Sequence, residues 1–330
     1  MEKNSATASR NSNRKLMIKF LIVLFLILIL IFPDSSYNGA KNGLLLWFNS
    51  VLPTLLPFII LSNLIIRLQI TRPLSKLLYP LFHFLFRVSR GGCYPVLMGF
   101  LSGIPVGAKS TADLVRNGSI KQEEGQFLLG FCNNASPMFI MSFVAITQLK
   151  QINLRTVLLS IIYLSAVLAS LLYFRVLARR HGNRPQAVSA AQYDDFLTGP
   201  GTKLDFALLD AAIMDGFEVI TKVGGYIIMF SIPAEIIISL NSRGSLFSLL
   251  CIGFLEITTG ISQVGNSRLD INTKIALITM ITAFGGLSGL AQTNSVIGNS
   301  GLSIITYLKV KLLHMLIAFL MAILYVTYLY

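Results

Sequence analysis

The sequence predicts an all-α polytopic membrane protein with an inverted-repeat, transporter-like fold of about seven spans, two re-entrant hairpins and two broken helices. Of the 330 residues, 54% are hydrophobic and only 12% are charged, whereas a soluble domain carries about 25% charged residues. The apolar residues fall into stretches long enough to cross a bilayer, which takes about 20 residues. The two halves of the chain then repeat the same order of elements.

Residues 1–39 are predicted to form a basic tail and a first transmembrane anchor. Residues 16–32 are apolar apart from Lys19. No small-x-small cleavage motif directly follows this stretch, so an uncleaved anchor is favoured over a signal peptide. Cleavage would leave the rest of the topology unchanged.

Residues 40–180 form the first predicted repeat, which starts with a span over 43–68. A short helix over 74–86 is expected at the membrane interface, because it is too short to cross. Residues 92–107 are rich in glycine and proline, which is typical of a re-entrant hairpin. Residues 123–147 contain Asn133-Asn134-Ala135-Ser136-Pro137 in their middle, which predicts a broken helix. Residues 154–177 form an ordinary span.

A polar cytoplasmic linker, residues 181–204, leads to the second predicted repeat, residues 205–330. This repeat has a span over 217–240, a short broken segment over 246–265, a long helix over 273–298 and a last span over 302–328. The long helix is interrupted by Gly285-Gly286-Leu287-Ser288-Gly289 and by Gln292-Thr293-Asn294. Gly99-Phe100-Leu101 precedes Phe131 by about the interval that separates Gly253-Phe254-Leu255 from Phe284, which supports a repeat.

The positive charges indicate the orientation. With the N-terminus in the cytoplasm and both hairpins re-entrant, most of the 27 lysines and arginines lie inside, as the positive-inside rule requires. Those that lie outside are Lys41, Lys150, Arg155, Arg243, Arg268 and Lys274. The second repeat is then inverted relative to the first, and the C-terminus is external. The net charge of +13 serves topology and contact with anionic lipid, and no nucleic-acid partner is expected.

The polar residues of the two interruptions are the candidate substrate ligands. An unpaired amide in hydrocarbon is costly, so Asn133 and Asn134 are expected to line a cavity or to be buried against protein. The predicted ligands also include the first hairpin tip, and the full set is Asn133, Asn134, Ser136, Gly103, Gly107, Lys109, Gly286, Ser288, Gln292 and Asn294. The alternatives are a structural kink for the first interruption, small-residue helix packing for the second, and a snorkelling lysine for Lys109.

Glu256 is the candidate for a coupling proton or cation, because carboxylates inside membranes are rare and usually functional. The alternative is a hydrogen-bonded structural acid. Residues 103–110 lack the glycine pattern of a nucleotide-binding loop. His83 and His314 are isolated in the sequence, and the three cysteines have no metal-site spacing. We therefore expect no enzyme activity, no metal and no cofactor.

Four motifs carry a resemblance to a known family: residues 52–58 (Leu-Pro-x-Leu-Leu-Pro-Phe), 99–109, 133–137 and 284–288. Together they resemble the YlbJ (SpoVV) family of sporulation integral membrane proteins, within the wider nucleoside-recognition or "gate" domain group. The resemblance covers roughly residues 40–330, so both repeats are gate-like by this comparison.

The resemblance implies a transporter needed for spore formation. Its expected substrate is dipicolinic acid, a small dicarboxylate, and its expected place is the bacterial cell membrane or the outer forespore membrane. The alternatives are a nucleoside carrier of the same architecture and a non-transporting membrane scaffold. Expected partners are a small anionic substrate and membrane lipid, and a homo-oligomer is left open.

Overall fold

The computed structural model describes residues 16, 19–68, 70–177, 205–240 and 245–328. Within these ranges all regular structure is helical. Five of the described stretches are long and apolar enough to cross a membrane: Pro33–Ile65, Ile152–Val176, Phe206–Leu240, Ile271–Ile297 and Ile304–Tyr328. The prediction of an all-helical polytopic membrane protein is confirmed, while the number of seven spans stays a prediction.

The described part of the first half consists of nine numbered helices. They are Lys19–Ile31 (α1), Pro33–Leu46 (α2), Leu52–Arg67 (α3), Thr71–Phe86 (α4), Cys93–Ser102 (α5), Val106–Arg116 (α6), Gln122–Cys132 (α7), the π-helical Phe139–Gln148 (α8) and Arg155–Leu172 (α9). A π-helical turn, Trp47–Val51, makes α2 and α3 continuous, so the prolines of α3 do not end the helix.

The described part of the second half consists of six further helices. They are Phe206–Leu240 (α10), Leu246–Leu255 (α11), Ile257–Asn266 (α12), Ile271–Phe284 (α13), Gly286–Ile297 (α14) and Ile304–Tyr328 (α15). Only one residue, Glu256, separates α11 from α12, and only Gly285 separates α13 from α14.

Helices α2 and α3 pack along α10 and join the two halves of the chain. The packing is close because a Cβ on Gly39 would lie 2.8 Å from the Ser231 carbonyl oxygen. Further along, the Asn63 side chain donates to the Ala212 carbonyl at 3.2 Å. An ion pair of 2.6 Å between Arg67 and Asp215 follows.

The main apolar core lies where α3, α8, α9, α10, α12 and α13 meet. Its buried side chains include Phe143, Leu158, Ile220, Ile261 and Ile278. Helix α15 packs against α9 and α13 and also reaches α7 and α14. Both halves therefore contribute to the main core, while a smaller apolar cluster around Met98, Leu114 and Phe131 lies within the first half.

Two helices begin earlier than predicted. The span predicted over 43–68 is part of a helix that starts at Pro33, because proline suits the first position of a helix. The span predicted over 217–240 starts at Phe206, where the Asp205 carboxylate accepts the Leu208 N–H at 2.8 Å and caps the helix.

Some predictions fall outside the described residues. These are the linker over 181–204, most of the basic tail (1–15 and 17–18) and Arg243. The division into 1–39, 40–180, 181–204 and 205–330 therefore stays a prediction.

Candidate functional site

The turn between α5 and α6 lies against the interruption between α7 and α8. We call residues 103–105 the first tip and residues 133–136 the first break. The N–H of Ile104 donates to the Asn134 carbonyl at 2.9 Å. Gly103 has a φ of 75°, and a Cβ there would lie 2.6 Å from the Ser136 nitrogen. Glycine is therefore required where the first tip meets the first break.

The turn between α11 and α12 lies against the interruption between α13 and α14. We call Glu256 the second tip and residues 285–286 the second break. Gly285 and Gly286 both have positive φ, at 86° and 72°. A Cβ on Gly286 would lie 3.0 Å from the Ile257 nitrogen and 3.4 Å from the Glu256 Cα. The second tip thus contacts the second break through backbone atoms.

Similar side chains surround the two tips. The Phe100 and Phe131 ring centroids are 6.3 Å apart, and those of Phe254 and Phe284 are 4.9 Å apart. These are the landmarks whose spacing predicts a repeat. Each short helix pair also crosses at two glycines, Gly99 with Gly107 and Gly253 with Gly260.

A cavity of about 60 Å³ lies where the tips and breaks meet. Ser102, Ser136, Glu256, Thr258 and Gln292 form its polar lining. Ile104 of the first tip extends to the second break, where its Cδ1 would lie 3.5 Å from a Cβ on Gly285. The volume suits a few water molecules, whereas ligand pockets measure about 300–1,000 Å³. The cavity is therefore smaller than an ordinary ligand pocket.

Glu256 is fully buried beside this cavity. Its carboxylate accepts the Thr259 N–H at 2.6 Å and so caps α12. The Ser288 hydroxyl donates to it at 3.3 Å. Among the described side chains it has no cationic ion-pair partner. A buried carboxylate with neutral neighbours is a place where a proton or a cation can be taken up.

The Asn133 side chain is fully buried, and protein groups satisfy its hydrogen bonds. Its Oδ1 accepts the Ala108 N–H at 3.2 Å. Its Nδ2 donates to the Thr293 hydroxyl at 2.8 Å and to the Tyr307 hydroxyl at 2.9 Å. The Tyr307 hydroxyl in turn donates to the Asn133 carbonyl at 3.1 Å. Asn133 therefore joins the first break to α6, α14 and α15, and its contact with substrate stays a prediction.

The substitution Tyr307→Phe is expected to destabilise the protein, because it leaves the Asn133 amide and carbonyl short of a partner. The expected cost is about 1–3 kcal/mol, measured as a lower melting temperature of the purified protein in detergent. Tyr328→Phe is the matched control, because Tyr328 is 77% exposed and its hydroxyl is free to bond water. Equal melting temperatures of the two variants would contradict the importance of this hydrogen bond.

Asn134 joins the first break to a buried basic pair. Its Nδ2 donates to the Phe131 carbonyl at 2.6 Å, and its Oδ1 accepts from the Lys311 Nζ at 3.2 Å. Lys311 Nζ lies 3.1 Å from His314 Nδ1, and His314 Nε2 lies 2.9 Å from the Ile162 carbonyl oxygen on α9. Lys311 and His314 are both 0% exposed.

The structure brings most of the predicted ligands together. Ser136 and Gln292 line the cavity with Glu256, and Ser288 contacts the Glu256 carboxylate. Gly103 and Gly286 form the contacts of tips with breaks, and Gly107 packs on the Cys132 carbonyl. None of these placements tests whether the residues bind a substrate.

Lys109 and Asn294 do not reach the cavity. Both side chains are exposed. Asn294 lies two residues beyond Gln292 on α14, and two residues turn a helix by more than half a circle. On α6 the residues on either side of Lys109, Ala108 and Ser110, are the buried ones. Neither side chain lines the cavity in this structure, and contact of either one with substrate stays a prediction.

The sequence prediction missed Tyr307, Lys311 and His314. It treated His314 as isolated and placed Lys311 with Lys309 on the cytoplasmic side, but only Lys309 is exposed. The available signal was the spacing, because residues 307, 311 and 314 share one face of a helix. A polar triplet on one face of an otherwise apolar span indicates a buried polar contact.

A second cavity, of about 300 Å³, lies between α2, α10 and α12. We call it the vestibule. Its polar lining is Asn42, Asn49, Ser50, Glu235, Thr259, Ser262 and Gln263. Thr259 links the vestibule to the second tip, because its N–H donates to Glu256 and its hydroxyl lies 2.8 Å from the Ser231 hydroxyl. Thr259 therefore lies between the vestibule and the Glu256 carboxylate.

In the part of the chain that the structure describes, no group of three or more His, Cys, Asp or Glu side chains could hold a metal ion. Cys93, Cys132 and Cys251 are free thiols. The polar groups at the tips, the breaks and the small cavity are thus hydroxyls, amides, backbone groups and one carboxylate, that of Glu256.

The chain is similar to a curated protein, the sporulation integral membrane protein YlbJ of Bacillus subtilis (strain 168). The two sequences are 30% identical over 307 residues, which cover 85% of this chain and 75% of the relative. No protein-family model matches the sequence, and no solved structure matches it.

Proposed function

Because the chain belongs to the family of the sporulation integral membrane protein YlbJ, we propose that it is a transporter of a sporulating bacterium. It moves dipicolinic acid across the outer forespore membrane by alternating access, has a cytoplasmic N-terminus and catalyses no reaction. The observation that carries the proposal is the meeting of both tips and both breaks around one small polar cavity.

The proposal includes two inverted gate-like repeats, with α5–α6 and α11–α12 as re-entrant hairpins. Three parallel features support it. Each short helix pair crosses at two glycines, each tip contacts the break of the broken helix that follows it, and each pair has a phenylalanine contact with that helix. Broken helices that meet short hairpins near one polar site are typical of transporters built from inverted repeats.

The surroundings of the cavity suit a small dianion. Helices α6, α8 and α14 begin directly after or near the cavity-lining residues Ile104, Ser136 and Gly285. Helix N-termini carry free N–H groups and partial positive charge, which favour carboxylates. The amide of Gln292 and the hydroxyl of Thr258 add hydrogen-bond donors, whereas the Ser102 hydroxyl donates to Ser62 at 2.6 Å.

Entry of the substrate requires the cavity to open. A volume of about 60 Å³ is too small for a planar ring with two carboxylates. At least one tip must therefore move away from its break, which supports gating or rocking of one repeat against the other. In the proposed cycle, this structure is a state in which the cavity is too small for the substrate.

Uptake of labelled dipicolinate into vesicles that contain the purified protein tests the proposal. Saturable uptake is expected for the wild type. Gln292→Leu removes a polar group from the cavity, and a hydrogen bond to a charged group is worth about 1.5–3 kcal/mol, so uptake should fall about 10- to 150-fold. Asn294→Leu is the matched control and should transport normally, because Asn294 is exposed on the same helix.

Other outcomes would favour the alternatives. Uptake that nucleosides inhibit and dicarboxylates do not would indicate a nucleoside carrier with this architecture. Absence of any uptake in vesicles shown to hold folded protein would favour a scaffold in spore formation. Equal uptake by the Gln292 and Asn294 variants would contradict the assignment of the cavity as the substrate site.

A further inference from the structure

The hydrogen bonds of Lys311 and His314 limit the charge that the pair can carry. The Ile162 carbonyl can only accept, so the proton of a neutral His314 ring is assigned to Nε2. His314 Nδ1 then presents a lone pair to the Lys311 Nζ at 3.1 Å. A proton on both nitrogens would place two cations at that distance. The pair therefore carries at most one positive charge, held between two facing nitrogens.

No described carboxylate forms an ion pair with Lys311 or His314. Glu256 lines the cavity, but its carboxylate accepts from the Thr259 N–H and the Ser288 hydroxyl and not from the pair. The helices packed against α15 also carry titratable or charged side chains, and none of these bonds to Lys311 or His314. They are Glu123, Glu124 and Cys132 on α7, Arg155 and Tyr163 on α9, and Lys274 on α13; α14 carries none. Glu124 accepts the Ser89 N–H, and Lys274 donates to the Gly265 carbonyl. On α15 itself, Tyr307 is bonded to Asn133.

A fully buried ammonium without a counterion costs several kcal/mol. That cost is avoided when the pair is neutral, and it is offset when an anion is nearby. Lys311 donates to Asn134, and the next two residues, Ala135 and Ser136, line the cavity. An anion in the cavity would therefore supply the missing negative charge from the other side of the first break.

We propose that the Lys311–His314 pair is a proton-binding site that is occupied when an anion is in the cavity and empty when the anion has left. The inference rests on the proposed function for the nature of the anion. Because linkage is reciprocal, the proton increases the affinity for the anion by the factor by which the anion increases the affinity for the proton. The pair thus couples anion transport to proton movement and acts in addition to Glu256.

Proton uptake on substrate binding tests the site directly. Labelled dipicolinate is added to the purified full-length protein in detergent, in weak buffer with a pH indicator, and bound label and protons are both counted. The wild type should take up protons with the substrate. Lys311→Met should lose one of these protons and bind about 5- to 150-fold more weakly. Lys311→Arg should bind without that proton, because arginine stays charged.

Lys309→Met is the matched control, because Lys309 is exposed two residues away on the same helix. It should bind substrate and protons as the wild type does. Equal proton uptake by the wild type and Lys311→Met would overturn the proposal. If Lys311→Met fails to fold, proton uptake by Lys311→Arg and by His314→Gln is compared with that of the wild type instead.

A substrate-free measurement separates this inference from the proposed function. Without an anion the folded protein should hold fewer protons at the pair than the unfolded chain does, so the melting temperature of the wild type should rise as the pH rises toward about 10.4, the ordinary value for lysine. Lys311→Met should lack part of that rise, while Lys309→Met keeps it. A wild type that binds no dipicolinate would contradict the proposed function. The same pH dependence in the wild type and Lys311→Met would overturn the proton site whether or not dipicolinate binds.

Discussion

Gly99→Ala is expected to cost more than about 4 kcal/mol of stability, which few single substitutions do. A Cβ on Gly99 would overlap the Cys132 carbonyl oxygen at the end of α7 and would also lie 3.0 Å from the Cys132 Cβ. The atoms it meets first are backbone atoms, which no rotamer change can move. Helix α5 would have to move away from the first break. The first tip, which follows α5, would then lose its contact with the first break.

Gly225→Ala is the matched control for this prediction. Gly225 lies inside α10, and a Cβ there would meet no other atom within 4 Å. Alanine is favoured over glycine inside helices by up to about 1 kcal/mol, so this variant should be as stable as the wild type or slightly more stable. Melting temperature and monodispersity in detergent are the measurements. A Gly99→Ala protein with an unchanged melting temperature would contradict the described packing.

Glu256→Gln is expected to abolish most transport while it preserves the fold. The amide oxygen can still accept the Thr259 N–H that caps α12, but the side chain can no longer change its charge. If Glu256 couples the substrate to a proton or a cation, uptake of dipicolinate should fall about 5- to 150-fold. Uptake by the variant should also stop responding to an imposed pH gradient, if the coupling ion is a proton. Vesicle uptake with and without that gradient is the measurement.

Glu218→Gln is the control, because the Glu218 side chain is 65% exposed and pairs with Lys222 on the same helix. It should transport at the wild-type rate. Normal uptake by Glu256→Gln would mean that the carboxylate serves only as a helix cap. A melting temperature well below that of the wild type would mean that lost stability explains the lost uptake, and the coupling role would need a different variant.

The positions of the breaks could be predicted from sequence because polar residues cannot be hidden in an apolar span. Two adjacent amides before Pro137 leave few alternatives to an interruption, and the interruption is where the amides predict it. Gly285 and Gly286 mark the second break for a related reason, since only glycine adopts two successive positive φ values at little cost. The membrane class itself follows from composition alone.

Which individual side chains point into the protein could not be predicted in the same way. Helical periodicity shows which residues share a face, but the neighbouring helices decide which face is buried. Lys109 and Asn294 were placed by their nearness in sequence to the tip and the break, and both project outward. The positive-inside rule treats every lysine as exposed to water, whereas the Lys311 Nζ is buried and donates a hydrogen bond to an asparagine 177 residues earlier.

The hydrogen bonds of the first break also constrain how the protein can be made. Asn133 finds Thr293 and Tyr307 at separations of 160 and 174 residues, so its partners are synthesised long after it. Until then the nascent chain holds two amides in the bilayer region without their final neighbours. The hydrocarbon of the bilayer offers these amides no hydrogen-bond partner. Insertion must therefore keep this segment in contact with water or with protein until the last two helices are inserted, because a chain that stops before them leaves the Asn133 amide without Thr293 and Tyr307.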